Sequence, residues 1–311
     1  MNVIEDYGRI FIPQDYELEY AKSPQAVVFD DFVRIYFCYC VPDGVKLISR
    51  VGFADYDKSF KSVIRISKNV INGGSLGTFD EHGIFPFSPF KDGDVIKAIT
   101  SGWSRRQSVS VEGALGLAIS YDAGETFERI GTGPVMTALL NEPFLIGDGF
   151  VIRLAQNDYK MFYIYGTDWD NYEGTGQPER TYKIAIAQSA NLTEWKRNGI
   201  QIVSEKFKGE AQALPTVIKK DGIWHLFFCY RHTVGFRENS SMAYRIGYAY
   251  SKDLKTWIRN DGGIQVPLAD WCDEMQCYPN VFLMNGEIYL LYNGNRFGKN
   301  GFGLLRLEDE K

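Results

Sequence analysis

The sequence predicts an all-β protein folded as a single five-bladed β-propeller, with about four antiparallel strands per blade. Three observations predict it. Prolines that open apolar runs recur as Pro24, Pro86, Pro143, Pro215 and Pro279. A phrase of alternating small and apolar residues, followed by a polar turn and an aromatic, occurs four times: VGFADYD with Phe60, LGLAISYDAGETF with Phe127, IAIAQSANLTEW with Trp195, and IGYAYSKDLKTW with Trp257. Between apolar runs stand hairpin dipeptides such as Asp92-Gly93 and Asp221-Gly222, whose left-handed backbone matches strand twist. Repeated supersecondary units of this kind cannot bury their faces alone, so the chain reads as one domain.

The fourth repeat shows the unit most clearly. Pro215–Lys219 is a short apolar strand, Lys220-Asp221-Gly222 a turn, and Ile223–Tyr230 an aromatic-rich second strand. Arg245–Ser251 is a third strand, and Trp257 opens a fourth. The same grammar places blades at about 19–70, 78–133, 134–205, 206–265 and 270–311. In the third, Gly147-Asp148-Gly149 reads as the first turn, and the insertion Thr167–Arg180 is the longest in the chain. The fifth keeps Val281–Met284, Glu287–Tyr292 and Phe302–Leu307 but has no fourth strand, so Tyr7–Ile12 is expected to supply it and close the ring. Closure leaves only short, protected sheet edges.

Composition narrows the function. The net charge of −5 and the lack of any Lys/Arg run argue against a nucleic-acid partner. The N-terminus lacks the basic and apolar regions of a signal peptide, and no apolar run is long enough to span a membrane. The five cysteines (Cys38, Cys40, Cys229, Cys272 and Cys277) form no Cys-x-x-Cys and sit in strand-like runs. They read as reduced, apolar thiols of a cytosolic protein. The Gly-rich stretch Asn72–Gly77 lacks the Gly-Lys-Ser/Thr ending of a phosphate loop. No metal-ligand spacing or cofactor motif occurs, so no cofactor is expected, and His225, within an apolar strand, reads as core.

In a propeller the innermost strands surround an axial funnel, so residues at their entries converge. Aligned on their prolines, the entries read EYAKSP from Glu19, EHGIFP from Glu81, EAQALP from Glu210 and EMQCYP from Glu274. Blade three reads ALLNEP, with Glu142 directly before Pro143. A ring of carboxylates suits glycosidic-bond cleavage, which needs an acid at the leaving oxygen and a base or nucleophile opposite. Crowded carboxylates raise one another's pKa, which keeps one protonated. The repeated glutamate also fits a purely structural bond to a neighbouring blade. Candidate catalytic residues are therefore Glu210 as acid, with Glu274, Glu142 or Glu81 as partner. Candidate substrate-binding residues are Trp103, Arg105, Arg153, Arg180, Tyr230, Arg231, His82, Asn293 and Arg296, since aromatic faces stack on sugars while Arg and Asn bind hydroxyls or acidic groups.

These residues carry a resemblance that covers essentially the whole chain. The five-blade grammar and the A-x-S-x-D-x-x-x-W phrase resemble the glycoside hydrolase propellers of families 43, 32, 68 and 130. RIGYAYSKD, DEMQCYPNVF and LLYNGNRFGKNGFG are similar to glycosidase-like propellers of bacterial surface-polysaccharide gene clusters. The resemblance implies an axial sugar site with two or three acidic residues. The family 43 pattern places an aspartate directly before the first-blade proline, where this chain has Ser23. Glu210 is the nearest match to the family's acid, and Glu142 to its intermediate acidic position. The function so implied is cleavage or processing of a small or nucleotide-linked sugar in surface-polysaccharide metabolism. The alternative, which Ser23 supports, is a catalytically inactive carbohydrate-binding propeller or scaffold.

Overall fold

The computed structural model describes residues 1–171 and 177–309. It contains five antiparallel sheets, four of them four-stranded and one three-stranded. The innermost strands are Lys22–Val28, Ile84–Asp92, Ile146–Ala155, Glu210–Lys220 and Cys277–Met284. Each packs against the inner strands of the blades before and after it, so the five make a closed ring about one axis. The molecule is a five-bladed β-propeller. Blade three is the three-stranded one, its outer strand reduced to a single bridge between Gln188 and Lys196.

The ring is closed by the N-terminal strand. Asn2–Phe11 pairs antiparallel with Phe302–Glu308 and becomes the outer strand of blade five. It starts earlier than the predicted Tyr7. Phe11 stacks on Phe302 with ring centroids 4.8 Å apart. The Tyr56 hydroxyl of blade one donates to the Ile10 carbonyl at 3.0 Å, which ties the closing strand to its other neighbour.

Blades are held together by apolar faces and by a few buried polar joints. Arg34 in blade one forks onto Asp55 at 2.7 Å and reaches Glu125 of blade two at 2.8 Å. Such a pair adds little net stability, but removing one partner strands a buried charge. All five cysteines are free, four of them buried. His225 is buried in the core with Nδ1 2.8 Å from the Tyr248 hydroxyl. Among the described residues no helix is long and apolar enough to cross a membrane.

One local feature repeats in every blade and positions the site. Each inner strand slips register near its entry: between Lys22 and Gln25, Ile84 and Phe87, Gly147 and Phe150, Ala213 and Thr216, and Cys277 and Asn280. At this bulge Ser23, Asp148, Leu214 and Tyr278 take left-handed backbone, with φ of 51°, 53°, 49° and 56°. Phe85 holds the fifth position, before a cis bond to Pro86. A bulge re-aims a side chain and frees one N–H from the ladder, which is where proline fits in a sheet. Proline follows the bulged residue in four blades, and Gly149 follows it in blade three. Gly147-Asp148-Gly149 is therefore part of the inner strand rather than the predicted turn; the hairpin lies at Gln156-Asn157.

Candidate functional site

The five bulges converge at one mouth of the axis. Lys22, Phe85, Asp148, Leu214 and Tyr278 line a cavity of about 510 Å³ there. That volume lies in the range of small-molecule sites. Trp103, Tyr182, Phe236, Tyr244 and Phe297 contribute aromatic surface. The Tyr182 and Tyr244 hydroxyls hydrogen-bond each other, which locks two of these rings.

Asp148 is the one carboxylate that lines the cavity among the described residues. Its Oδ2 accepts the Leu214 N–H at 3.0 Å, so one bulge holds the next. Burial pushes its carboxyl up to about 7, against the opposing effects of the Leu214 N–H and the Arg180 charge. Desolvation of this kind disfavours the ionised form.

The four glutamates predicted to ring the funnel do not line it. Glu210 is fully buried elsewhere, ion-paired to Arg259 at 2.7 Å. It also accepts from Gln212 Nε2 at 2.9 Å and from the Lys206 N–H at 2.8 Å. Strand alternation explains this: Ala213 lines the cavity, while Glu210 and Gln212 share the other parity and turn onto the face of their own blade. Glu142 is buried against Arg197 at 2.8 Å and accepts the Tyr163 hydroxyl at 2.6 Å. Glu81 accepts the Gly77 N–H at 3.1 Å in the loop before blade two. Glu274 is exposed, its backbone N–H bound to Asn295 Oδ1 at 3.0 Å. Glu19 is also at the surface, 3.2 Å from Lys299.

Of the predicted binding residues, the cavity brings together Trp103, Arg180 and Arg231. Arg180 ends the long insertion, of which residues 172–176 lie outside the described residues. His82 stacks beside Trp103 with centroids 5.6 Å apart and accepts the Arg105 N–H at 3.4 Å, so it stands behind the wall. The Arg105 side chain is engaged by Asp43 at 2.7 Å and holds that carboxyl below its ordinary range. Arg153 sits at the far end of its inner strand, 3.2 Å from Asp92, at the opposite mouth. Tyr230 has the parity opposite to Arg231 and accepts from Lys206 at 3.2 Å. Asn293 is a joint: its Oδ1 accepts the Ser23 N–H at 2.7 Å and its Nδ2 donates to the Ala21 carbonyl at 2.7 Å. Arg296 is exposed in a left-handed turn.

Sequence reasoning missed Asp148, Lys22 and Arg237. The signal for Asp148 was present but displaced. Pro143 served as the third anchor, although it precedes the inner strand. The residue that matches the pre-proline position of the other blades is Asp148, with glycine in place of proline.

The fold and its axial cavity define the class by shape: a five-bladed β-propeller with a cavity at one mouth of its axis. A structure described as "Glycoside hydrolase" superposes with a TM-score of 0.76 over 99% of this chain and 92% of its own, at 16% identity. A putative glycosidase from Bacteroides thetaiotaomicron gives 0.68 over 99% and 94%, at 13% identity. A thermostable family-43 glycoside hydrolase gives 0.63 over 94% and 90%, at 14% identity. No family model matches the sequence. The chain belongs to the family of two Mycobacterium tuberculosis proteins, uncharacterized protein Rv1502 of strain H37Rv and uncharacterized protein MT1551 of strain CDC 1551. Each is 31% identical over 310 residues, which span 97% of this chain and 98% of theirs.

Proposed function

We propose that the protein is a glycosidase-like enzyme that acts on a saccharide in the axial funnel, with Asp148 as its acid. The observation that carries this reading is the placement of Asp148. It occupies the bulge position that converges on the axis, and its surroundings keep it protonated to about pH 7. A glycosidic oxygen leaves readily only if a proton reaches it as the C–O bond breaks. The Leu214 N–H holds Oδ2. Oδ1 is therefore the oxygen available to deliver that proton. The aromatic walls give stacking surface for the sugar ring. Among the described residues no second carboxylate lines the cavity. The C–O bond breaks as Asp148 gives its proton to the leaving oxygen, and a group on the substrate can supply the nucleophile, as in substrate-assisted hydrolysis. Water then opens that intermediate, and the proton the water releases returns to Asp148. The four buried free thiols favour a reducing compartment, and the resemblance favours a substrate from surface-polysaccharide metabolism.

A second reading is a sugar-binding propeller without turnover. Ser23 at the blade-one bulge, and Glu210 and Glu142 each held in an ion pair, favour it. One experiment separates the two. A saccharide panel is screened by melting temperature, and every stabilising sugar is then followed for consumption by the unmodified protein and by Asp148→Asn. Consumption by the unmodified protein alone supports the enzyme. Binding to both without consumption by either supports the binding module. Equal turnover by both removes Asp148 from the acid role.

A further inference from the structure

Among the described residues, four cationic side chains line the funnel, Lys22, Arg180, Arg231 and Arg237, against the single carboxylate of Asp148. The chain as a whole carries the opposite charge, −5. Of the four, Arg237 has a carboxylate partner, with its Nε 2.9 Å from Glu179. The Lys22 ammonium lies 4.4 Å over the Tyr20 ring and makes no ion pair among the described residues. Arg180 donates to the Ser110 hydroxyl at 3.3 Å and likewise has no ion pair among the described residues.

Arg231 is the most informative. It is 1% exposed. Its Nη atoms donate to four neutral oxygens: the carbonyls of His232, Thr233 and Arg180 at 2.7, 2.9 and 3.2 Å, and the Tyr182 hydroxyl at 3.1 Å. The Phe236 ring covers its guanidinium at 3.7 Å. Its Nε has no partner. A buried charge without a counter-charge is costly to keep, because burial strips it of water and nothing of opposite sign replaces that water. Asp148 makes no ion pair with Arg231; the Asp148 Oδ2 is held by the Leu214 N–H instead. A concave site with low-dielectric walls focuses the uncompensated potential toward whatever enters.

We infer that the funnel takes an anionic saccharide, whose carboxylate or phosphate group meets Lys22 and Arg180 and supplies the counter-charge that Arg231 lacks. The inference rests on the saccharide reading above and adds the charge of the substrate to it. Arginine suits the role because its planar fork matches both carboxylate and phosphate.

The test is titration calorimetry at low and moderate salt with matched trios. Each trio is a neutral hexose, its uronic acid and its 1-phosphate, in the gluco, galacto and manno series, with inorganic phosphate alone alongside. The proteins are the full chain and its Lys22→Met and Arg180→Gln variants, with Lys22→Arg as the charge-conserving control. The expected result is that an acidic member binds at least about tenfold more tightly than its neutral parent, and that added salt narrows the gap. Lys22→Met and Arg180→Gln each lose about tenfold for the acidic member only, and Lys22→Arg restores most of it. Preference for the uronic acid or for the phosphate ester identifies the source of the charge. Equal affinity for neutral and acidic members overturns the inference and leaves the saccharide reading standing. Inorganic phosphate binding as tightly as its sugar ester, or no member binding at all, overturns the saccharide reading beneath it.

Discussion

Replacing Asp148 by asparagine changes the pH dependence of stability in a direction that can be worked out. The carboxyl keeps its proton to about pH 7 in the folded protein, against an ordinary value of 3.8. A carboxyl whose folded pKa is raised contributes stability that is fully present below the unfolded value and is lost as pH climbs to the folded value. The window is therefore about pH 4 to 7. Each pH unit of separation is worth about 1.4 kcal/mol, so the whole window holds about 4 kcal/mol. Asparagine does not titrate and still offers an oxygen to the Leu214 N–H. Between about pH 5 and pH 8 the stability difference between the two proteins should move by about 3 kcal/mol in favour of Asp148→Asn. Urea denaturation of both proteins at several pH values measures it. A difference that stays constant with pH, or moves the other way, refutes the claim that this carboxyl is held protonated. In the proposed enzyme the same substitution lowers turnover by about 10²–10⁴.

Other expectations follow from the same structure. Arg259→Met leaves Glu210 buried without its partner and should cost about 3–5 kcal/mol in urea denaturation, whereas Glu210→Gln should leave ligand affinity within about twofold by calorimetry. Gly83 has a φ of +125°, and a Cβ there would meet the Ser49 carbonyl at 2.2 Å. Gly83→Ala should therefore lower stability by about 2 kcal/mol or more, read from the denaturation midpoint. Removing residues 2–11 takes away the strand that pairs with Phe302–Glu308. Thermal melting followed by circular dichroism should then broaden and lose its single cooperative transition, because the ring is open.

The repeat was legible because strand alternation, hairpin dipeptides and the third-strand phrase all write the same unit several times. The closing strand was legible because blade five visibly lacks one. The site was harder to read for two physical reasons. A bulge breaks the two-residue period, so the side chain it re-aims cannot be assigned a face by counting from the strand start. Glu210 and Glu274 looked equivalent by their distance from a proline, yet one is locked to Arg259 and the other lies at the surface. Asp148 was hidden by Pro143, a proline at a plausible spacing that does not begin an inner strand. The family pattern of an aspartate before the proline concerns blade one, where this chain has Ser23; the aspartate at the equivalent bulge position here is Asp148 of blade three. Trp103, Arg180 and Arg231 could be picked as candidates from position alone, but that Arg231 has no carboxylate partner among the described residues is a fact of packing that no single sequence records.

The pairing of Asn2–Phe11 with Phe302–Glu308 also has a consequence in time. The ribosome makes one edge of blade five before the other four blades and its partner after them. At about 5–20 residues per second, the early strand waits on the order of 15–60 s for the strand it pairs with. Throughout that interval the nascent chain carries an unsatisfied strand edge beside a growing row of apolar blades. That edge stays open until Phe302–Glu308 emerges, so blade five, alone among the five, is assembled from segments that lie on either side of all the others.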